Sequence, residues 1–130
     1  MNVKQVIVVR MDLNMRKGKI AAQVAHCAMK VFFDKLQWSI EDEGVAAIVG
    51  ITSEMKSWMM GAFTKVVVGC QSEQELYDLA KKAEEAGIPT AIIIDNGFTE
   101  FHGNKTTTCV AIGPDLSEKI DLITGGLQLI

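Results

Sequence analysis

Lys19, Gln23, His26 and Lys30 are separated by helical intervals, so on a helix they share one face and form a polar stripe. Far along the chain, Asp95 ends an apolar run and is followed by Asn96-Gly97 and Thr99. A glycine-flanked, threonine-rich segment, His102-Gly103-Asn104-Lys105-Thr106-Thr107-Thr108, comes next. These residue types suit two tasks. Lysines can hold an anion, and a carboxylate at a strand end among hydroxyls can take part in chemistry on a bound ligand. Each feature also has a plainer reading: the stripe as the solvent face of an amphipathic helix, Asp95 as a turn aspartate, the threonine segment as a surface turn.

Charge is distributed unevenly along the chain. Residues 1–35 hold seven Lys or Arg (Lys4, Arg10, Arg16, Lys17, Lys19, Lys30, Lys35) against Asp12 and Asp34, a balance of +5, whereas the chain as a whole carries −3. A basic end on an acidic protein reads equally as a chance cluster of solvated charges or as the site of an anionic ligand.

Other site types lack their signatures. Gly18-Lys19 lacks the glycine five residues earlier and the following Ser or Thr of a phosphate loop, since Leu13 and Ile20 stand there. No G-x-G-x-x-G follows a strand, and no serine sits in a G-x-S-x-G elbow. Two histidines and three cysteines without C-x-x-C or H-x-x-x-H spacing predict no metal, and no cofactor is expected. His26 and Cys27 are adjacent on one helix, point about 100° apart and cannot easily pair as base and nucleophile.

The elements that position these residues follow from periodicity. The β-branched run within Lys4–Arg10 predicts a central strand buried on both faces, and Ile20, Val24, Cys27, Ala28 and Val31 give the next helix its apolar stripe. Residues 37–50 show no firm period and predict a loop or broken helix. Thr52 caps a short helix ending at Gly61, 63–69 is a strand, and Ser72 with Glu75 forms a capping box for a helix with Leu76, Leu79, Ala80 and Ala83 inside. Gly87 and Pro89 stop that helix; residues 90–94 and 107–112 are strands, 114–123 a closing helix, and 127–130 an edge strand. Alternating helices and strands predict an α/β fold: a three-layer α/β/α sandwich around a mixed, mostly parallel sheet of about four strands.

At 130 residues, with 48% hydrophobic and 22% charged residues, the chain is expected to form one domain spanning 1–130. Cys27, Cys70 and Cys109 lie in apolar stretches, which predicts free thiols and a reducing, cytoplasmic setting. No apolar run is long enough to cross a bilayer, so no membrane partner is expected. Met and Trp side chains near Trp58-Met59-Met60 leave room for a homodimer.

The segments Lys4–Leu13 and Gly18-Lys19-Ile20-Ala21-Ala22-Gln23-Val24-Ala25-His26 closely resemble the opening of type 2 peptidyl-tRNA hydrolases. Lys65–Val68, Asp95-x-Gly97-x-Thr99, Ala111-Ile112-Gly113-Pro114 and Ile120-Asp121 match in the same order. The resemblance implies hydrolysis of the ester joining a peptide to the terminal ribose of tRNA, by water and without metal. It carries functional positions onto Lys19, Asp95 and Thr99, with a threonine of the later loop completing the set, Thr106 and Thr108 being favoured. Gln23 and His26 belong to the same motif and are expected to line the site, with peptidyl-tRNA as partner; the basic end adds Arg16, Lys17 and Lys30 as expected RNA-backbone contacts, and the polar loop adds His102, Lys105 and Thr108 as a binding rim. Asn96 and Glu100 stand where the family usually has alanine and glutamine, and the threonine loop is one residue longer. Those departures leave two alternatives: a binding module of the same fold without turnover, or a hydrolase of another nucleotide-linked ester.

Overall fold

The computed structural model describes residues 1–41 and 44–130. The chain runs β1 (Val3–Arg10), a 3-10 turn (Met11–Leu13), α1 (Lys17–Phe33), β2 (Gln37–Glu41), β3 (Gly44–Ile48), α2 (Ser53–Met60), β4 (Lys65–Cys70), α3 (Glu73–Glu85), β5 (Thr90–Asp95), β6 (Thr106–Leu116), α4 (Ser117–Thr124) and β7 (Gln128–Leu129). A five-stranded sheet in the order β5-β6-β1-β4-β7 has β1 at its centre.

Alternation along β1 builds two cores. Val6 and Val8 face Leu76, Leu79, Ala83 and Ile120 of α3 and α4, while Ile7 and Val9 face Cys27, Val31 and Met55 of α1 and α2. All four β1 residues are essentially inaccessible, and burying an aliphatic side chain of this size contributes roughly 1.5–3 kcal/mol each. An aspartate at Ile7 would put an unpaired charge there and break the strand's packing on α1.

The sheet is mixed but mostly antiparallel, which corrects the expectation of mostly parallel strands. Only β1 and β4 run parallel; β1–β6, β5–β6 and β4–β7 are antiparallel. An apolar β-branched run reports burial on both faces, and helices covering both faces produce that burial whichever way the neighbouring strands run. β5 is accordingly an antiparallel edge strand. β6 continues through a cis Gly113–Pro114 bond to Leu116, so helix α4 starts at Ser117, not at Pro114.

Residues 37–50, expected as loop or broken helix, contain the hairpin β2–β3, with Trp38 opposite Ala47 and Ile40 opposite Val45; residues 42 and 43 of that stretch lie outside the described residues. The caps follow the sequence. Thr52 accepts the Met55 N–H and Ser72 the Glu75 N–H, while the Glu75 carboxylate reaches back to the Gln71 N–H. After α3, Gly87 turns left-handed, Ile88 N–H bonds Ala83 C=O and Gly87 N–H bonds Glu84 C=O, closing a Schellman motif. Among the described residues no helix is long and apolar enough to cross a membrane.

Candidate active site

Asp95 is the last residue of β5, directly opposite Thr106 on β6. Its Oδ2 accepts the Gly97 N–H at 2.8 Å, an Asx turn that fixes the carboxylate against its own backbone. Gly97 is left-handed, and a Cβ there would collide with the Asn104 carbonyl. The loop from Asn96 to Asn104 therefore folds back tightly, and the Gly103 N–H bonds Gly97 C=O at 2.9 Å.

Across from this loop end, the first two turns of α1 supply Lys19 and Gln23. Lys19 Nζ lies 2.9 Å from Asp95 Oδ1 and 2.8 Å from Thr99 Oγ1, and stands 5.7 Å from the centre of the Phe101 ring. Gln23 Nε2 donates to the same Asp95 oxygen at 3.3 Å, while Gln23 Oε1 accepts from Thr108 Oγ1 at 2.6 Å. The Thr108 donor orients the amide, turning the Gln23 NH2 toward Asp95. One hydrogen-bonded chain thus links Thr99, Lys19, Asp95, Gln23 and Thr108, and joins helix to sheet.

Burial alone would raise the Asp95 pKa. The Lys19 hydrogen bond, the Gly97 N–H, the charge of Lys19 and the Gln23 amide together outweigh it and hold the carboxyl below its ordinary value. Asp95 is therefore anionic at neutral pH. Of about four acceptor positions on a carboxylate, three are filled, and of the three donors on the ammonium of Lys19, two are used. Among the described residues, one acceptor position on Oδ2 and one donor on Nζ have no protein partner. Thr99 accepts from Lys19, which leaves its own O–H to donate outward.

An open depression of about 550 Å³, lined by Arg16, Gly18, Lys19, Ala22, Thr99 and Glu100, adjoins the ammonium. Arg16 is paired with Glu100 at 3.1 Å, and the carboxylate of Glu100 is neutralised there instead of standing as a free negative charge. Thr106 is half-buried beside Asp95 and donates to Asn104 C=O at 2.9 Å.

Gln23 and Thr108, expected to contact substrate, are instead buried beneath the site, at 1% and 0% exposure, because the polar stripe of α1 turns inward at its second turn to meet β6. The structure does not join Lys17, His26, Lys30, His102 or Lys105 to the network. His26 is exposed, Lys30 pairs with Asp34 at 2.7 Å, and Lys17, His102 and Lys105 are exposed. Trp58, expected as exposed surface, is 2% exposed, its Nε1 donating to Thr64 C=O, whereas Met59 and Met60 do reach solvent. Phe101 went unnoticed in the sequence; a lone aromatic between Glu100 and His102 was the available signal.

No thiol competes as nucleophile. All three cysteines are free and buried, burial pushes the Cys27 thiol far up, and Cys70 is raised to about 11, again chiefly by burial. Among the described residues no group of three or more His, Cys, Asp or Glu side chains is placed to hold a metal ion.

An ammonium, a carboxylate and a hydroxyl thus meet in one network at the edge of a helix-flanked mixed sheet. Residues 3–130 match the family described as peptidyl-tRNA hydrolase PTH2. A peptidyl-tRNA hydrolase of Haloquadratum walsbyi is 44% identical, covering 98% of this chain and 99% of its own. Those of Thermococcus onnurineus and Methanocaldococcus jannaschii are 41% and 39% identical over 98% of this chain, with 97% and 100% of their own lengths covered. The chain belongs to the PTH2 family of peptidyl-tRNA hydrolases.

Proposed function

We propose that this chain, acting as one domain in the cytoplasm, releases tRNA from peptidyl-tRNA by direct attack of water on the ester carbonyl, with no covalent enzyme intermediate and no metal. Family membership supports the reaction. The assignment of roles rests on one observation: Asp95 and Lys19 form one hydrogen-bonded pair, each with a hydrogen-bonding position that no described protein group fills, and Lys19 lines an open depression.

Asp95 accepts a hydrogen bond from the attacking water, orients it and draws off its proton as the new C–O bond forms. A carboxyl held below its usual pKa is a weak base, so its larger contribution is orientation in a fixed, ionised form. Lys19 directs its free N–H at the developing oxyanion. Thr99 and Thr106 supply hydroxyls that position water and substrate. The tetrahedral intermediate then collapses with cleavage of the bond from carbonyl carbon to ribose oxygen; the ribose oxygen takes the proton drawn off by Asp95 and leaves as a hydroxyl, and the peptide acid gives its remaining proton to solvent and leaves as a carboxylate.

Exposed cations at the basic end, Arg16, Lys17, Lys30 and, from the threonine loop, Lys105, meet the RNA backbone without reading bases, with His26 and His102 beside them. Met59 and Met60, 46% and 80% exposed, offer apolar surface for a homodimer. The decisive experiment is release of tRNA from purified peptidyl-tRNA, with and without chelator. Release that persists in chelator is expected; activity lost to chelation and restored by zinc would overturn the metal-free reading, and binding without release would leave a non-catalytic module.

A further inference from the structure

Glu100 sits where an anionic substrate has to arrive. Its Oε1 accepts from Arg16 Nε at 3.1 Å and its Oε2 from the Arg16 backbone N–H at 3.4 Å. Arg16 is the N-cap residue of α1, and no side chain of its own caps that helix. The leading N–H groups of a 17-residue helix therefore meet the depression with their positive end uncovered except by Glu100. The Arg16 side chain is 85% exposed, whereas that of Glu100 is 15% exposed, so the carboxylate is largely shielded while the guanidinium it pairs with faces solvent. Lys19 and Thr99 line the same depression.

Carboxylate and phosphate oxygens satisfy the same donors, and a guanidinium fits either. A carboxylate held against Arg16 and the helix end thus takes contacts that an RNA phosphate would otherwise make. We propose that Glu100 is a specificity-determining residue: an internal anion that fills the phosphate-binding corner of Arg16 and the α1 N-terminus until a substrate phosphate displaces it. The inference rests on the tRNA reading above. It gives Glu100 a task beyond pinning its loop, because displacement makes occupancy of this corner depend on a ligand with further anionic contacts at Lys17 and Lys19.

Glu100→Gln tests it, since the amide keeps the shape and an acceptor for the Arg16 N–H but removes the charge. Deacylated tRNA should bind about two- to fivefold more tightly, the worth of one exposed ion pair. Hydrolysis of peptidyl-tRNA should gain in KM and not in kcat. Glu100→Asp, which retains the charge, should show no such gain, and Glu100→Gln made in an Arg16→Ala background should lose most of it. Unchanged or weaker tRNA binding by Glu100→Gln, or a fall in kcat at constant KM, would overturn the proposal. Binding of deacylated tRNA is read without turnover, so a parent protein that binds tRNA but releases none would remove the proposed reaction and still decide the role of Glu100.

Discussion

Helix α1 carries two lysine–aspartate pairs of similar length and very different surroundings. Near its start, Lys19 meets Asp95 at 2.9 Å with side chains 14% and 11% exposed; near its end, Lys30 meets Asp34 at 2.7 Å with side chains 40% and 46% exposed. The first pair joins helix to sheet edge and shares its charges with Thr99, Gln23 and the Gly97 N–H. The second spans a single helical turn in solvent. Distance alone would rank them equal. Desolvation separates them, because a charge left alone in the first location is only partly hydrated, whereas one left alone in the second is hydrated at once.

The largest consequence is catalytic. Asp95→Asn should lower the rate of tRNA release by about 10² to 10⁴, and Lys19→Ala by about 10² to 10³, while Lys30→Ala should act through RNA affinity. Single-turnover release at saturating enzyme separates these cases; a Lys30 variant as impaired in the chemical step as a Lys19 variant would erase the distinction.

Stability comes next. Lys19 and Asp95 are half-buried, so Lys19→Ala should cost about 1–3 kcal/mol by leaving the Asp95 carboxylate short of a partner. Lys30→Ala should cost under about 0.5 kcal/mol. Urea unfolding of both variants measures the difference directly, and equal losses would break the comparison.

Acid should shrink that difference. The folded-state pKa of Asp95 lies below its ordinary value of 3.8, so its ionised form stabilises the fold fully above that value. The contribution is lost as pH falls through the lower, folded pKa. The stability gap between parent and Asp95→Asn should therefore hold from neutral pH to about 4 and narrow only below it. A gap that closes between pH 5 and 7 would contradict the pairing. The smallest effect concerns the exposed cations: Lys17→Glu with Lys30→Glu should weaken RNA binding and flatten its salt dependence, as read by titrations at several salt concentrations.

Local signals were legible in the sequence where one segment sufficed to produce them. The inward stripe Leu76, Leu79, Ala80 and Ala83, the caps at Thr52 and Ser72, and the Asp95-Asn96-Gly97 turn are set by residues within a few positions of one another. Strand direction was not legible, since Val6–Val9 would be buried identically between parallel or antiparallel neighbours. Nor was the β2–β3 hairpin: Trp38 and Ile40 alternate, but the acidic run after them reads as a solvated loop, and the exposed apolar side chains give no sign of burial. Within the site, Lys19, Asp95 and Thr99 could be named by type and order. The burial of Gln23 and Thr108 depends on β6 crossing beneath α1, a contact between residues 85 positions apart that no local pattern encodes.

The central claim is that Lys19 and Asp95 serve one transition state as a unit. The direct test is the single-turnover rate of tRNA release by Lys19→Ala, Asp95→Asn and the double variant, each confirmed folded by circular dichroism. If the two act together, the double variant is far less impaired than the product of the single losses, because either survivor alone has little left to assist. Losses that simply multiply, or near-parental rates in both single variants, would contradict it.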